Sequence, residues 1–202
     1  MSHEQIAILS FCIITASIIP YAWRISTGRA HTSITGWAVS TVTGFVTFLT
    51  YKGIGATGNI WIAAVELIDP LLIVVAAVIG RNIWDHIDRH EKAILVVAIV
   101  ALILHVLADS RGAAQFAYAC AMLADVLGAW AVVRFSWKQP RKEQPLAWSL
   151  SIVGVILSFF SIENLTLDQV SLPLYQLLFC ILILIPTLRY HIKQKIPLRH
   201  WM

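Results

Sequence analysis

Long apolar segments bounded by basic residues dominate this sequence and constrain its fold more than any other feature. A helix needs roughly 20 mostly apolar residues to cross the hydrocarbon core of a bilayer. With 58% hydrophobic and 13% charged residues, the chain has too few polar residues to cover a water-exposed domain. We therefore predict an all-α integral membrane protein with seven transmembrane helices, at residues 5–23, 34–51, 60–80, 93–107, 113–133, 146–160 and 172–190.

The basic residues lie almost entirely on one side of these predicted helices. Lys52 and Arg111 are the two exceptions among 15 Lys and Arg residues. The others are Arg24, Arg29, Arg81, Arg89, Lys92, Arg134, Lys138, Arg141, Lys142, Arg189, Lys193, Lys195 and Arg199. Short loops that are rich in Lys and Arg stay in the cytoplasm. This distribution predicts a multi-pass protein of the cell (inner) membrane, with its N-terminus outside and its C-terminus cytoplasmic.

The first three predicted helices have the same order and spacing as the last three. A shift of 110 residues places Glu66 on Gln176, and a shift of 111 places Trp37 on Trp148. This internal repeat predicts a 3+1+3 arrangement of two parallel triple-helix bundles. The bundles are residues 1–80 and 113–190, the linker helix lies within 81–112, and residues 191–202 form a cytoplasmic tail. Many transporter folds are duplicated in this way and bind substrate between the two copies.

Two short segments of the first bundle carry a resemblance to a known family. Residues 20–24 read Pro-Tyr-Ala-Trp-Arg, and residues 32–37 read Thr-Ser-Ile-Thr-Gly-Trp. This pattern resembles the first repeat of the PQ-loop transporters, the superfamily of the SWEET sugar carriers, with Pro-Tyr in place of Pro-Gln. The resemblance implies a central cavity that opens alternately to each side, with substrate held at matched positions on the third helix of each bundle. Glu66 and Gln176 occupy those positions here.

Three carboxyl groups fall inside predicted membrane helices. Glu66 and Asp69 are three residues apart and therefore share one face of the third helix, while Asp125 lies in the middle of the fifth. A charged group at the centre of a bilayer costs at least about 2.5 kcal/mol, so such residues usually have a function. We predict that the three carboxyls bind substrate or couple transport to protons or a cation. The alternative is a protonated carboxyl that hydrogen-bonds to Ser or Thr on a neighbouring helix.

Further residues are candidates for the substrate site or for movement around it. Ser40 and Thr43 belong to a stripe of hydroxyl groups on the second helix. Small polar residues of this kind also pack helices together in membranes, so the stripe alone leaves both roles open. Aromatic candidates for stacking on a ring are Trp37, Trp130 and Trp148, and hinge candidates are Pro20 and Pro70.

These features together predict a transporter that moves a small polar solute, such as a vitamin or nucleoside, an amino acid or a sugar, by alternating access. A seven-helix sensor or an assembly protein without transport is the alternative. A retinal protein needs a lysine inside a helix, and none of the predicted helices has one in its interior. We expect no catalytic residue, metal, cofactor or nucleic-acid partner. The expected partners are the solute and the lipid bilayer, and a homo-oligomer stays open.

Overall fold

The computed structural model describes residues 1–30, 32, 34–53, 60–81, 89–107, 111–162, 167–198 and 201. Its helices are α1 His3–Ser26, α2 Ile34–Gly53, α3 Ile60–Ile79, α4 Arg89–Val106, α5 Arg111–Lys138, α6 Pro145–Phe159 and α7 Leu167–Lys193, with a short 3₁₀ turn at Pro140–Lys142. Within these described ranges all regular structure is helical, which confirms the predicted helical class. Ser33 of the Thr-Ser-Ile-Thr-Gly-Trp segment lies outside the described residues, as do parts of the predicted linker and tail.

Four helical segments are long and apolar enough to cross a membrane. They are His3–Ser26, Ile60–Ile79, Gln115–Lys138 and Gln169–Lys193. Lys92–Val106 and Pro145–Phe159 are also apolar but shorter. Large apolar side chains such as Ile79, Leu107 and Phe116 are exposed on the outside, where lipid would cover them more favourably than water. These properties are consistent with a membrane protein.

Several helices extend beyond the segments predicted from apolar residues. Helix α1 begins at His3 because Ser2 caps it: the Gln5 backbone N–H donates to Ser2 Oγ (3.2 Å), and the Ser2 N–H donates to Gln5 Oε1 (3.0 Å). Helix α5 continues to Lys138 and ends just before Pro140, because the residue that precedes a proline disfavours helical geometry. Apolar sequence marks the part of a helix in hydrocarbon, whereas polar turns continue the same helix beyond it.

The packing of the helices leaves α4 outside a group of six. Helix α3 packs against α1 and α2, and α7 packs against α6 and α5. Helix α1 also packs against α6, and α2 against α5, which joins the first three helices to the last three. Helix α4 packs against α5 and α2 on their outer side. Side chains from the six inner helices therefore face a common interior.

Helices α2 and α3 approach each other most closely at Gly44. A Cβ atom added at this glycine would lie 2.1 Å from the backbone oxygen of Glu66. That oxygen has no N–H partner four residues later in the helix, because the residue there is Pro70. The hydrogen that Gly44 carries in place of a side chain thus points at a carbonyl left free by the proline, in the geometry of a weak Cα–H···O contact.

Candidate functional site

A central cavity with about 550 Å³ of empty space, including the part that opens outward, lies between α1, α2, α3, α5, α6 and α7. Small-molecule sites in proteins usually have volumes of about 300–1,000 Å³. The cavity brings together most of the residues that the sequence singled out. They are Trp37, Ser40, Glu66, Asp69, Pro70, Asp125, Trp148 and Gln176. The remaining lining residues are Ile14, Ile18, Val65, Ala129, Ser151, Val155, Tyr175, Phe179 and Cys180.

The lining residues are related in pairs by the repeat shift. Of the 17 residues that line the cavity, all except Val155 have a partner in the lining 110 or 111 positions away. The pairs are Ile14 with Asp125, Ile18 with Ala129, Trp37 with Trp148, Ser40 with Ser151, Val65 with Tyr175, Glu66 with Gln176, Asp69 with Phe179, and Pro70 with Cys180. Equivalent positions of the two halves therefore surround one cavity, although few of the pairs are identical residues.

Glu66 and Gln176 meet across this cavity. The amide of Gln176 on α7 is a hydrogen-bond donor to the carboxyl of Glu66 on α3. Gln176 is only 7% exposed, and its Oε1 atom has no hydrogen-bond partner among the described residues. The amide thus ties the two halves together with its nitrogen and leaves an acceptor oxygen uncommitted.

Asp69 offers a second uncommitted acceptor. Thr15 of α1 faces its carboxyl, but neither the Thr15 hydroxyl nor Asp69 Oδ1 has a hydrogen-bond partner of acceptable geometry within the described part of the chain. Asp69 is 6% exposed and lines the cavity. A buried acceptor without a partner costs about 1–3 kcal/mol, which is the kind of cost that a bound ligand can remove.

Asp125 connects three helices. Its Oδ1 accepts a hydrogen bond from Thr43 Oγ1 on α2 (2.8 Å), and its Oδ2 accepts one from the Tyr175 hydroxyl on α7 (2.5 Å). Thr43 lies outside the cavity lining and is placed to position this carboxyl. Tyr175 was missed by the sequence reasoning, although it immediately precedes Gln176. Both carboxylate oxygens of Asp125 are therefore engaged by protein donors, unlike those of Asp69.

Replacing Asp125 with leucine is expected to lower the free energy of unfolding by about 2 kcal/mol, because it leaves the Tyr175 hydroxyl buried without an acceptor. Adding Tyr175→Phe removes that hydroxyl, so the double variant should be more stable than the sum of the two single losses predicts. Unfolding of the four proteins by SDS from detergent micelles measures this coupling. Additive losses would show that the Asp125–Tyr175 hydrogen bond contributes nothing to stability.

Both cavity-lining tryptophans are held in the same way at one end of the bundle. Trp37 Nε1–H donates to Thr32 Oγ1 (2.7 Å), and Trp148 Nε1–H donates to Glu143 Oε2 (3.1 Å). In each case the acceptor lies five residues before the tryptophan, and Thr32 and Glu143 are themselves 111 residues apart. The indole N–H groups are thus satisfied outside the cavity, so that the rings form its apolar wall.

Glu143 is a buried carboxyl outside the membrane-spanning segments. It is 3% exposed, and its Oε1 has no partner among the described atoms. Burial raises its pKa to about 7, against smaller lowering effects of hydrogen bonds from Trp148 and Ser136. The sequence reasoning did not identify Glu143, because a carboxylate in a polar connection is normally hydrated. Its repeat relation to Thr32 was the available signal.

Two other sequence candidates lie elsewhere. Trp130 is 62% exposed and does not line the cavity, which is a correction to its selection as a stacking residue. Because α5 is apolar on both faces, sequence did not show which of its residues point inward. Pro20 lies within α1 next to the buried Tyr21 and also outside the lining. Among the described residues, no group of three or more His, Cys, Asp or Glu could hold a metal ion.

The site therefore combines three carboxyls, an amide, hydroxyl groups and aromatic rings in one space between six helices. An arrangement of this kind can bind a small solute, and it contains no nucleophile paired with a base among the residues that line it. No protein-family model, curated protein or solved structure matches this chain.

Proposed function

We propose that this protein transports a small polar solute across the cell (inner) membrane through the central cavity by alternating access. The observation that carries the proposal is the lining itself, in which eight pairs of repeat-related residues from both halves surround one space. A site between two related halves changes its exposure when one half rocks against the other. Solute bound at Glu66 and Gln176 would contact both halves at once.

The proposal includes a seven-span, 3+1+3 architecture with α4 as the linker. The helix contacts support it, because α1–α3 corresponds to α5–α7, α2–α3 to α6–α7, and α1–α6 to α5–α2. Helix α2 is less apolar than a lipid-facing helix since it places Ser40, Thr43 and Thr47 inside. The one-sided distribution of Lys and Arg supports an external N-terminus and a cytoplasmic C-terminus.

Membership of a PQ-loop or SWEET-like group is part of the same proposal. Tyr21, which replaces the Gln of the family pattern, is 2% exposed, and its hydroxyl has Thr32 and Glu143 as polar neighbours. The tyrosine thus lies beside the two groups that hold the cavity tryptophans. A conserved loop function at this place would explain why a polar side chain follows Pro20.

Uptake into liposomes tests the transport proposal. We expect purified protein to take up at least one member of a radiolabelled panel of vitamins, nucleosides, amino acids and sugars. Glu66→Gln and Gln176→Ala should each slow the initial rate by about tenfold, because each removes a buried polar contact worth about 1–3 kcal/mol. The control is Glu4→Gln, which removes an exposed carboxyl from the start of α1. Normal uptake by both cavity variants would reject this site, and no uptake by the wild type would favour the sensor or assembly role.

Proton coupling is an extension that concerns Asp69 first, since both oxygens of Asp125 already accept hydrogen bonds. A pH-sensitive dye trapped in the liposomes should report acidification as solute enters, and Asp69→Asn should abolish the acidification. Solute entry without acidification would reject coupling and leave transport intact.

A further inference from the structure

The polar groups of the central cavity are almost all negative or hydrogen-bond acceptors. Three carboxyl-bearing residues line it, and no Lys, Arg or His is present among its 17 described lining residues. The two uncommitted atoms, Asp69 Oδ1 and Gln176 Oε1, are both acceptors on residues that are more than nine-tenths buried. A ligand that satisfies them must bring N–H or O–H donors or a positive charge. An anionic solute would find no basic partner in this lining.

The apolar part of the cavity is aromatic. Phe179 packs edge-on against Trp148, with ring centroids 5.7 Å apart, and lies stacked with Tyr175 at 6.4 Å. Trp37 adds a fourth ring from the opposite half. Aromatic faces attract cations through their quadrupole, Trp most strongly. The walls therefore favour the same sign of charge as the carboxyls do.

The kind of cation follows from how the carboxyls are spread. Among the described residues, no cluster of carboxyl, thiol or imidazole groups converges closely enough to bind a metal ion. Inorganic divalent cations need six or more oxygens at short distance, which aromatic walls do not supply. An organic cation spreads its charge over a larger apolar body and suits separated carboxyls and rings.

We propose that the central cavity binds an organic cation, an ammonium or N-heteroaromatic compound, with its positive group near Asp69 and Glu66 and its apolar body against Trp37 and Trp148. This assignment rests on the proposed function, because it names the substrate class of the same cavity. Binding is nevertheless measurable without transport. Neutral sugars and acidic solutes are then not the substrate.

Calorimetric titration and thermal unfolding of the full chain in detergent test this assignment with matched probes. The pairs are choline and the neutral alcohol in which carbon replaces its nitrogen, and benzylammonium and benzyl alcohol. At least one cation should bind saturably and raise Tm, and its neutral counterpart should bind about tenfold more weakly or less. Asp69→Asn should weaken cation binding at least about tenfold, whereas Glu4→Gln should not change it.

A second pair of variants keeps the test decisive if Asp69→Asn does not fold. Trp148→Leu should weaken cation binding by about tenfold, while Trp130→Leu, which alters an exposed tryptophan of α5, should not. Equal affinity for cations and neutral counterparts, or no binding of either cation, would overturn the assignment. So would unchanged cation affinity in the cavity variants.

Uptake of the same probes into liposomes separates this inference from the transport proposal. Cations that bind in an Asp69-dependent manner but never enter would leave the ligand class standing and reject transport. Glu66-dependent entry of a neutral solute, with no cation binding, would reject the ligand class and keep transport.

Discussion

Gly44→Ala is expected to disrupt the packing of α2 against α3 and to cost about 3 kcal/mol or more of stability. The new Cβ would lie 2.1 Å from the backbone oxygen, 2.5 Å from the carbonyl carbon of Glu66 and 2.9 Å from the nitrogen of Leu67. These are helix backbone atoms, which cannot rotate aside as a side chain can, so α2 would have to move. Because Glu66 also lines the cavity, ligand binding should be lost together with stability.

Thermal unfolding and gel filtration in detergent would measure the Gly44→Ala effect. Gly112→Ala is the matched control, since an added Cβ in the first turn of α5 meets nothing within 4 Å. Gly154→Ala, at the repeat-related position, should have an intermediate effect because its closest contact, at 2.4 Å, is a side-chain atom of Ile14. If Gly44→Ala were as stable as Gly112→Ala, the close approach of α2 and α3 would be contradicted.

The second large effect concerns pH and Glu143. Burial raises the pKa of this carboxyl from 4.5 to about 7. Between these values the unfolded chain releases the proton while the folded protein keeps it, so stability falls as pH rises through this window. The difference amounts to about 3 kcal/mol, lost in full above pH 7. Glu143→Gln keeps an acceptor for Trp148 but does not ionise, so it should be more stable than the wild type at pH 8 and similar at pH 4.

Unfolding at a series of pH values, expressed as variant minus wild type, isolates Glu143, because contributions from the other carboxyls cancel. Glu4→Gln serves as the exposed control and should give a flat difference. A flat difference for Glu143→Gln as well, or a variant less stable than the wild type at pH 8, would show that the Glu143 carboxyl is not buried in its neutral form.

The cavity residues illustrate how far sequence reasoning reaches. Glu66, Asp69 and Asp125 were identifiable because a carboxyl is conspicuous among apolar residues, and Gln176 because the repeat places it opposite Glu66. Tyr175 and Phe179 were not, since aromatic residues occur throughout such helices. Trp148 and Trp130 have similar apolar neighbours in sequence, yet the first is 4% exposed and the second 62%.

The sequence by itself determined the helical class, the approximate positions of seven helices and the polar residues among them, because apolar length and isolated charge are local properties. Only the tertiary structure decided which faces of those helices meet in the cavity, that Thr43 serves Asp125, and that Glu143 is buried. A membrane helix is apolar on its lipid side and on its packed side alike. Its periodicity therefore does not distinguish inside from outside, and contacts between distant segments make that decision.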